Sequence, residues 1–242
     1  MRLSVIVPAF NEEKCLQQYL PRSIESLKQH QQQIGAWEII VCDNNSTDNT
    51  AAIAESLGAK VIHEPINQIA RARNTGASIA SGEWLLFVDA DSCLSPELVE
   101  NFATYLPNKS YAVLGSTIRV IDGKWWYRWS FAWAINTIIR LFNLAAGTCI
   151  LVRKDLFEKV GGFPTTLFVF EELEFTKQVK REARRQELKF KLITNTPCLT
   201  SGRKGDLYGF WSIVRTGFYL MLSPFKSPTQ RKGLTIWYDG KR

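Results

Sequence analysis

Along the first hundred residues, mostly apolar strand candidates at 3–9, 37–42, 59–63 and 84–88 alternate with stretches whose apolar positions return every three to four residues. Short apolar runs of this kind suit strands buried on both faces, and the intervening pattern suits the helices that cover them. The alternation predicts a parallel, doubly wound α/β sheet. Downstream, Ser95-Pro96-Glu97 predicts a helix start and 112–121 a further strand. The apolar run from Trp125 to Val152 is broken by Asn136, Arg140 and Asn143, which share a face at helical spacing, so it reads as an amphipathic helix and a poor transmembrane span. The aromatics from Trp125 to Trp133 read either as stacking platforms for a sugar or lipid acceptor or as the hydrophobic support of a helix, and core packing is expected for most of them.

Where each strand run stops, polar residues begin. Leu85-Leu86-Phe87-Val88 ends in Asp89-Ala90-Asp91, and residues two apart on an extended chain point the same way, so both carboxylates can face one ligand. Open α/β sheets bind ligands at the carboxyl ends of their strands. Two carboxylates there suit a hard divalent ion such as Mg²⁺ or Mn²⁺, which commonly joins one or two acids to substrate phosphates. A strand-end turn or helix cap uses the same residues. After the first strand, Asn11 begins a helix with Glu12 and Glu13 in its first turn; after the second, Asp43-Asn44-Asn45-Ser46-Thr47-Asp48 opens another, with Ser46 or Thr47 as its cap.

Composition narrows the class without identifying it. The 242 residues, 45% hydrophobic, can bury one large core, and the five widely spaced cysteines lack Cys-x-x-Cys pairs, so they suggest neither a disulfide framework nor zinc. A reducing, cytoplasmic setting fits best. The N-terminal apolar segment is too short for a signal peptide and reads as the first strand. The net charge of +7 is concentrated late: from Lys180 onward there are 14 Lys and Arg against 4 Asp and Glu, leaving 16 against 19 before it. No nucleic-acid motif accompanies this basic segment. Its aromatic residues, from Tyr208-Gly209-Phe210-Trp211 to Phe218, Tyr219 and Leu220, suit peripheral contact with an anionic membrane at its inner face.

Taken in order, Pro8-Ala9-Phe10-Asn11-Glu12-Glu13, Asp43-Asn44-Asn45-Ser46-Thr47-Asp48, Arg71-Ala72-Arg73-Asn74-Thr75-Gly76 and Asp89-Ala90-Asp91 resemble the family-2 glycosyltransferases of the GT-A fold. Gly161-Gly162-Phe163 followed by Glu171-Glu172-Leu173-Glu174-Phe175, and then Thr200-Ser201-Gly202-Arg203-Lys204, are similar to that family's acceptor-side signature and late basic segment. The resemblance spans roughly residues 3 to 205. It implies a single GT-A-type domain with a Rossmann-like, mostly parallel sheet: a nucleotide-sugar half (1–110), an acceptor-side half (111–205) with C-terminal helices, and an amphipathic basic segment (206–242).

The resemblance further implies transfer from a UDP- or GDP-linked sugar to the hydroxyl of a glycan or lipid-linked acceptor, with inversion and with Mg²⁺ or Mn²⁺. Pro8, Phe10, Glu12, Asp43, Asn44, Arg73, Asp89 and Arg203 match donor-binding positions; Asp91, with Asp89, matches the metal position; Glu172, or Glu171 in its stead, matches the general base. Asn44 stands where many members carry a second acid, which leaves the base of the nucleotide open, and Glu stands where Asp is usual for the catalytic base. Two rivals remain at this level, a nucleotidyltransferase acting on a sugar phosphate and a non-catalytic nucleotide-sugar binder.

Overall fold

The computed structural model describes residues 2–145 and 148–209, with Arg2 described by its backbone alone. The four early apolar runs form β1 (Arg2–Ala9), β2 (Ala36–Asp43), β3 (Lys60–His63) and β4 (Trp84–Val88). They lie in the order β3-β2-β1-β4, all parallel. Their connections are α1 (Glu13–Gln29), the short α2 (Gln31–Ile34), α3 (Thr50–Ser56) and α4 (Ile69–Ser78). Because the chain winds outward from β1 through β2 to β3 and then returns to β1's other side as β4, the winding reverses between β1 and β4. That crevice is where such sheets take ligands.

Residues of β4 alternate between two cores, Leu86 and Val88 on one face of the sheet, Leu85 and Phe87 on the other. Burial on both faces explains why the run is apolar throughout rather than alternating. On the second face α4 lies close against β1: a Cβ on Gly76 would come within 2.6 Å of the Ile6 side chain, so only glycine permits this approach.

Beyond β4 come β5 (Ser92–Cys93), α5 (Pro96–Tyr105), β6 (Tyr111–Val120), α6 (Ala132–Phe142), β7 (Cys149–Arg153), α7 (Lys154–Val160), α8 (Glu171–Arg185) and β8 (Lys189–Thr200). Ser95 caps α5 as its sequence predicts, accepting from the Leu98 N–H at 3.2 Å. In this half the sheet turns mixed. β7 runs antiparallel to both β4 and β6, β8 parallel to β6, and β5 antiparallel to β8.

Two expectations need correction. The second helix starts at Thr50, later than a Ser46 or Thr47 cap would place it, because Ser46 accepts from Asn11 across the loop and the Asp48 carboxylate takes the Thr50 N–H at 2.9 Å. The aromatic segment is also less buried than expected. Tyr127 is buried, but Trp125, Trp129 and Trp133 are 76%, 76% and 73% exposed. A single π-helical turn, Tyr127–Phe131, precedes α6 and keeps these tryptophans together on the outer side. Among the described residues no helix is long and apolar enough to cross a membrane. Phe210, Trp211, Phe218, Tyr219 and Leu220 lie outside the described residues.

Candidate functional site

The loops after β1 and β2 are laced into one polar floor. Asn11 adopts the left-handed conformation (φ 54°), which asparagine tolerates, and its carboxamide oxygen accepts from the Thr47 N–H at 2.8 Å while its own N–H donates to Ser46 Oγ. The Glu12 N–H donates to Thr50 Oγ1 and the Glu13 N–H to Asp48. Asp43 is buried, accepting from the Ser46 N–H and facing His63 Nδ1 at 3.4 Å; Asn44 is buried beside it and accepts from the Gln68 N–H. Pro8 and Phe10, half-buried, lie at the edge of this floor.

From α4, the buried Arg73 donates through Nη2 to Asp89 Oδ1 at 3.0 Å and through Nη1 to Glu171 Oε1 at 2.8 Å. One guanidinium therefore joins the strand-end acid of β4 to the first acid of α8, 98 residues further along the chain than the arginine itself. Its planar fork fixes the two N–H groups in one rigid arrangement, which a rotating lysine ammonium does not. The Phe163 ring lies 5.1 Å from the guanidinium and stacks on Phe175. Burial pushes the Glu171 carboxyl up to about 8, neighbouring Glu172 adds to the rise, and Arg73 opposes it. Glu172 is half-buried in the same first turn of α8.

Asn74, next to Arg73, pins the Gly161-Gly162-Phe163 turn by bonding both the N–H and the carbonyl of Phe163, each at 2.9 Å. Gly162 has φ 75°, and a Cβ there would come within 2.6 Å of the Asn74 oxygen. Gln68 spans the same gap, donating to the carbonyls of Thr165 and Leu167 at 2.8 Å. Phe170, in the left-handed region at φ 64°, turns the chain into α8 and so aims the acid pair. Arg71 donates to Gln68 Oε1 at 3.1 Å.

Asp91 is buried, with Lys204 Nζ 3.5 Å and Arg203 Nη2 3.6 Å from its Oδ2; Arg203 also reaches Glu12 Oε1 at 2.5 Å. The basic segment is held there by its backbone. The Ser201 N–H donates to the Asp91 carbonyl at 2.9 Å, and Asp122 accepts from the Gly202 N–H at 2.6 Å, from Ser201 Oγ and from Tyr19 OH. Gly202 could not carry a side chain, since its Cβ would come 2.1 Å from the Asp122 carbonyl oxygen. Sequence reasoning found Arg203 but missed Asp122, Tyr19, Gln68 and Asn74. Asp122-Gly123 reads simply as a turn, and only the fold brings it to residues 201–202.

The donor set around Asp89 and Asp91 fits a hard divalent ion. Both groups are oxygen-donating carboxylates; Lys204 and Arg203 now neutralise Asp91 and would have to give way to an ion, which their 3.5 and 3.6 Å separations, ion-pair contacts rather than close hydrogen bonds, make easier. Among the described residues no three His, Cys, Asp or Glu side chains converge into a ready-made cage. An ion held here would complete its shell with water and ligand oxygens, the usual habit of Mg²⁺ at phosphate sites.

Residues 4–161 match the model of the family described as glycosyl transferase family 2. An uncharacterized glycosyltransferase of Haemophilus influenzae is 30% identical over 195 residues, 74% of this chain and 62% of that protein, so the chain spans less than two thirds of this relative's length. The fold is similar to that of Staphylococcus aureus TarS 1–349 in complex with UDP-GlcNAc, with a TM-score of 0.65 and 22% identity, covering 91% of this chain and 67% of that one. It is similar also to the mannosyltransferase PcManGT of Pyrobaculum calidifontis in complex with GDP-Man and Mn²⁺, with a TM-score of 0.63 and 18% identity, covering 94% and 66%.

Proposed function

Since the chain belongs to glycosyl transferase family 2, we propose that it moves a sugar from a UDP- or GDP-linked donor to a hydroxyl of a glycan or lipid-linked acceptor, with inversion at the anomeric carbon. The observation that carries this reading is the Asp89–Arg73–Glu171 chain of contacts, which joins the strand-end acids to the acid pair of α8 in one crevice. TarS and PcManGT, solved with UDP-GlcNAc and with GDP-Man and Mn²⁺, support a nucleotide-sugar donor and a divalent ion.

In this reading Pro8, Phe10, Glu12, Asp43 and Asn44 border the nucleoside, and Asp91 with Asp89 holds Mg²⁺ or Mn²⁺. When bound, the ion neutralises charge on the diphosphate and so makes it a better leaving group. Glu172 takes the proton of the acceptor hydroxyl as its oxygen bonds to the anomeric carbon; the carbon–oxygen bond to the diphosphate breaks, and its electron pair departs with the diphosphate. Glu171, already committed to Arg73, positions the first turn of α8. A single displacement needs one base and no second carboxyl acid, because a diphosphate leaves without protonation. Arg203 and Lys204 exchange their contacts with Glu12 and Asp91 for the phosphates of the donor.

A screen of UDP-, GDP- and dTDP-sugars for metal-dependent binding and slow hydrolysis tests the reading, and binding of none of them would reject it. Glu172→Gln is expected to keep donor binding and lose transfer by about a hundredfold or more, whereas Asp91→Ala loses metal-dependent binding. Transfer by Glu172→Gln at the parent rate would remove Glu172 from its role.

A further inference from the structure

The outer face of the helical segment around α6 is apolar, exposed and flanked by positive charge. Trp125, Trp129 and Trp133 follow one another at four-residue spacing and continue to Leu141, while Ala134, Ile138 and Phe142 form the adjoining ridge. Leu141 and Phe142 are 75% and 66% exposed, close to the exposure of the three tryptophans. Soluble surfaces rarely leave so many large apolar side chains contiguous without a partner. The inner face accounts for the helix's attachment: Asn136 bonds both the N–H and the carbonyl of Ile118, and Ile139 packs on Ile118. The outer ridges are therefore not needed to hold the segment in place.

Charge identifies the occupant. Lys124, Arg128 and Arg140 are exposed beside the ridges, and no acidic residue occurs between Asp122 and Asp155. Residues 210–242 carry six Lys or Arg against one Asp, the same sign of charge as this face, so charge favours neither that segment nor a second copy as the occupant. A surface that offers both an apolar interior and negative charge satisfies it. We propose that the face formed by Trp125, Trp129, Trp133, Ile138, Leu141 and Phe142 docks on an anionic lipid bilayer, with the indoles at headgroup depth and Lys124, Arg128 and Arg140 on the lipid phosphates.

The docked face adjoins the candidate site through Tyr127. Its ring lies under Gly205, where a Cβ would come within 2.5 Å, one residue after Lys204 at Asp91. Docking thus brings the crevice to the bilayer surface. The proposal does not require that the crevice transfers sugar, and its test uses no donor.

The test is sedimentation of the full chain with sucrose-loaded vesicles of phosphatidylcholine, alone or with about one third phosphatidylglycerol. Binding is expected to the anionic vesicles and to fall about tenfold or more in Trp125→Ser/Trp129→Ser/Trp133→Ser. Lys124→Gln/Arg128→Gln/Arg140→Gln is expected to bind neutral and anionic vesicles alike. Trp211→Ser/Phe218→Ser should bind as the parent does. Because the three tryptophans are exposed, unfolding is not expected, and an unchanged far-ultraviolet spectrum and melting temperature would establish that. Absence of binding by the parent at low salt overturns the proposal, as does undiminished binding of the triple tryptophan variant; loss confined to Trp211→Ser/Phe218→Ser assigns docking to the C-terminal segment instead.

Discussion

Arg73 concentrates the electrostatics of the crevice in one buried side chain, and its removal separates structural from functional effects. In Arg73→Ala, Glu171 loses its guanidinium while staying buried beside Glu172. Breaking a buried pair from one side costs about 3–5 kcal/mol, and an unfolding titration should read a loss of that size. Arg73→Ala/Glu171→Gln should recover part of it, since a glutamine, unlike a carboxyl raised by burial, takes up no proton on folding; a double variant no more stable than the single one would mean the cost is lost packing against Phe163. A second buried acid titrates at the far end of β2. Glu38 accepts from Lys60 at 2.6 Å, from Ser4 at 2.7 Å and from Ser81; burial alone would raise its pKa, but these bonds outweigh it and hold the carboxyl down at about 2. A depressed carboxyl pKa contributes stability that is complete above the ordinary value and lost as pH falls through the folded one. Between about pH 5 and about pH 2 the denaturant midpoint of the parent should therefore decline more steeply than that of Glu38→Gln, and parallel curves would refute the network's contribution.

Elements here are positioned by their ends. α8 enters through Phe170 and leaves through Glu187, both in left-handed conformations that cost a side-chain-bearing residue about 1–2 kcal/mol. At the exit the Leu188 N–H returns to the Ala183 carbonyl at 2.8 Å, a helix stop at which glycine is the preferred residue. Glu187 is exposed, so Glu187→Gly removes the strain without removing packing and should stabilise the chain by about 0.5–1 kcal/mol after the entropy of glycine in the unfolded chain is deducted. A denaturant midpoint shifted downward would show that the glutamate earns its place by a contact. Phe170 differs because it immediately precedes the acid pair; the strain there sets the direction of α8's first turn. α4 performs the complementary task through Arg73 and Asn74 and through Gln68, the residue that precedes it, three side chains that reach the loop of residues 163–167 and the acid pair.

Across the molecule, legibility follows the range of the contacts involved. Strands β1 to β4 could be read from the sequence to within a residue or so because burial leaves mostly apolar runs in β1, β2 and β4, whereas β3, with Lys60 and His63 exposed, is marked only by Val61 and Ile62; the acids at the strand ends follow from the parallel order. The antiparallel placement of β7 between β4 and β6 was not legible, since nothing local to Cys149–Arg153 records which strands it joins. Asp122 was hidden for the same reason: its partners, the Gly202 N–H, Ser201 Oγ and Tyr19 OH, lie 80, 79 and 103 residues away, and nothing local to Asp122 records them. The exposed tryptophans were misread because a segment apolar on two sides does not declare which side the body covers. The crevice, in contrast, joins distant parts so closely that ligand binding should be visible in global stability. The strand-end acids, Arg203 and Lys204 belong to segments that separate on unfolding, so a ligand that engages them binds only the folded chain. At about a hundredfold excess over its dissociation constant such a ligand adds about 2.7 kcal/mol, which in a chain of this size raises the melting temperature by about 5–10 °C. A UDP- or GDP-sugar with Mn²⁺ should give that rise, while sugar nucleotide alone or Mn²⁺ alone should give much less, because each leaves the carboxylates and the diphosphate without their common counter-ion. Asp91→Asn should abolish the difference between the joint and the separate additions. Equal shifts for the nucleotide with and without the ion would place the diphosphate on Arg203 and Lys204 alone and detach Asp89 and Asp91 from ion binding.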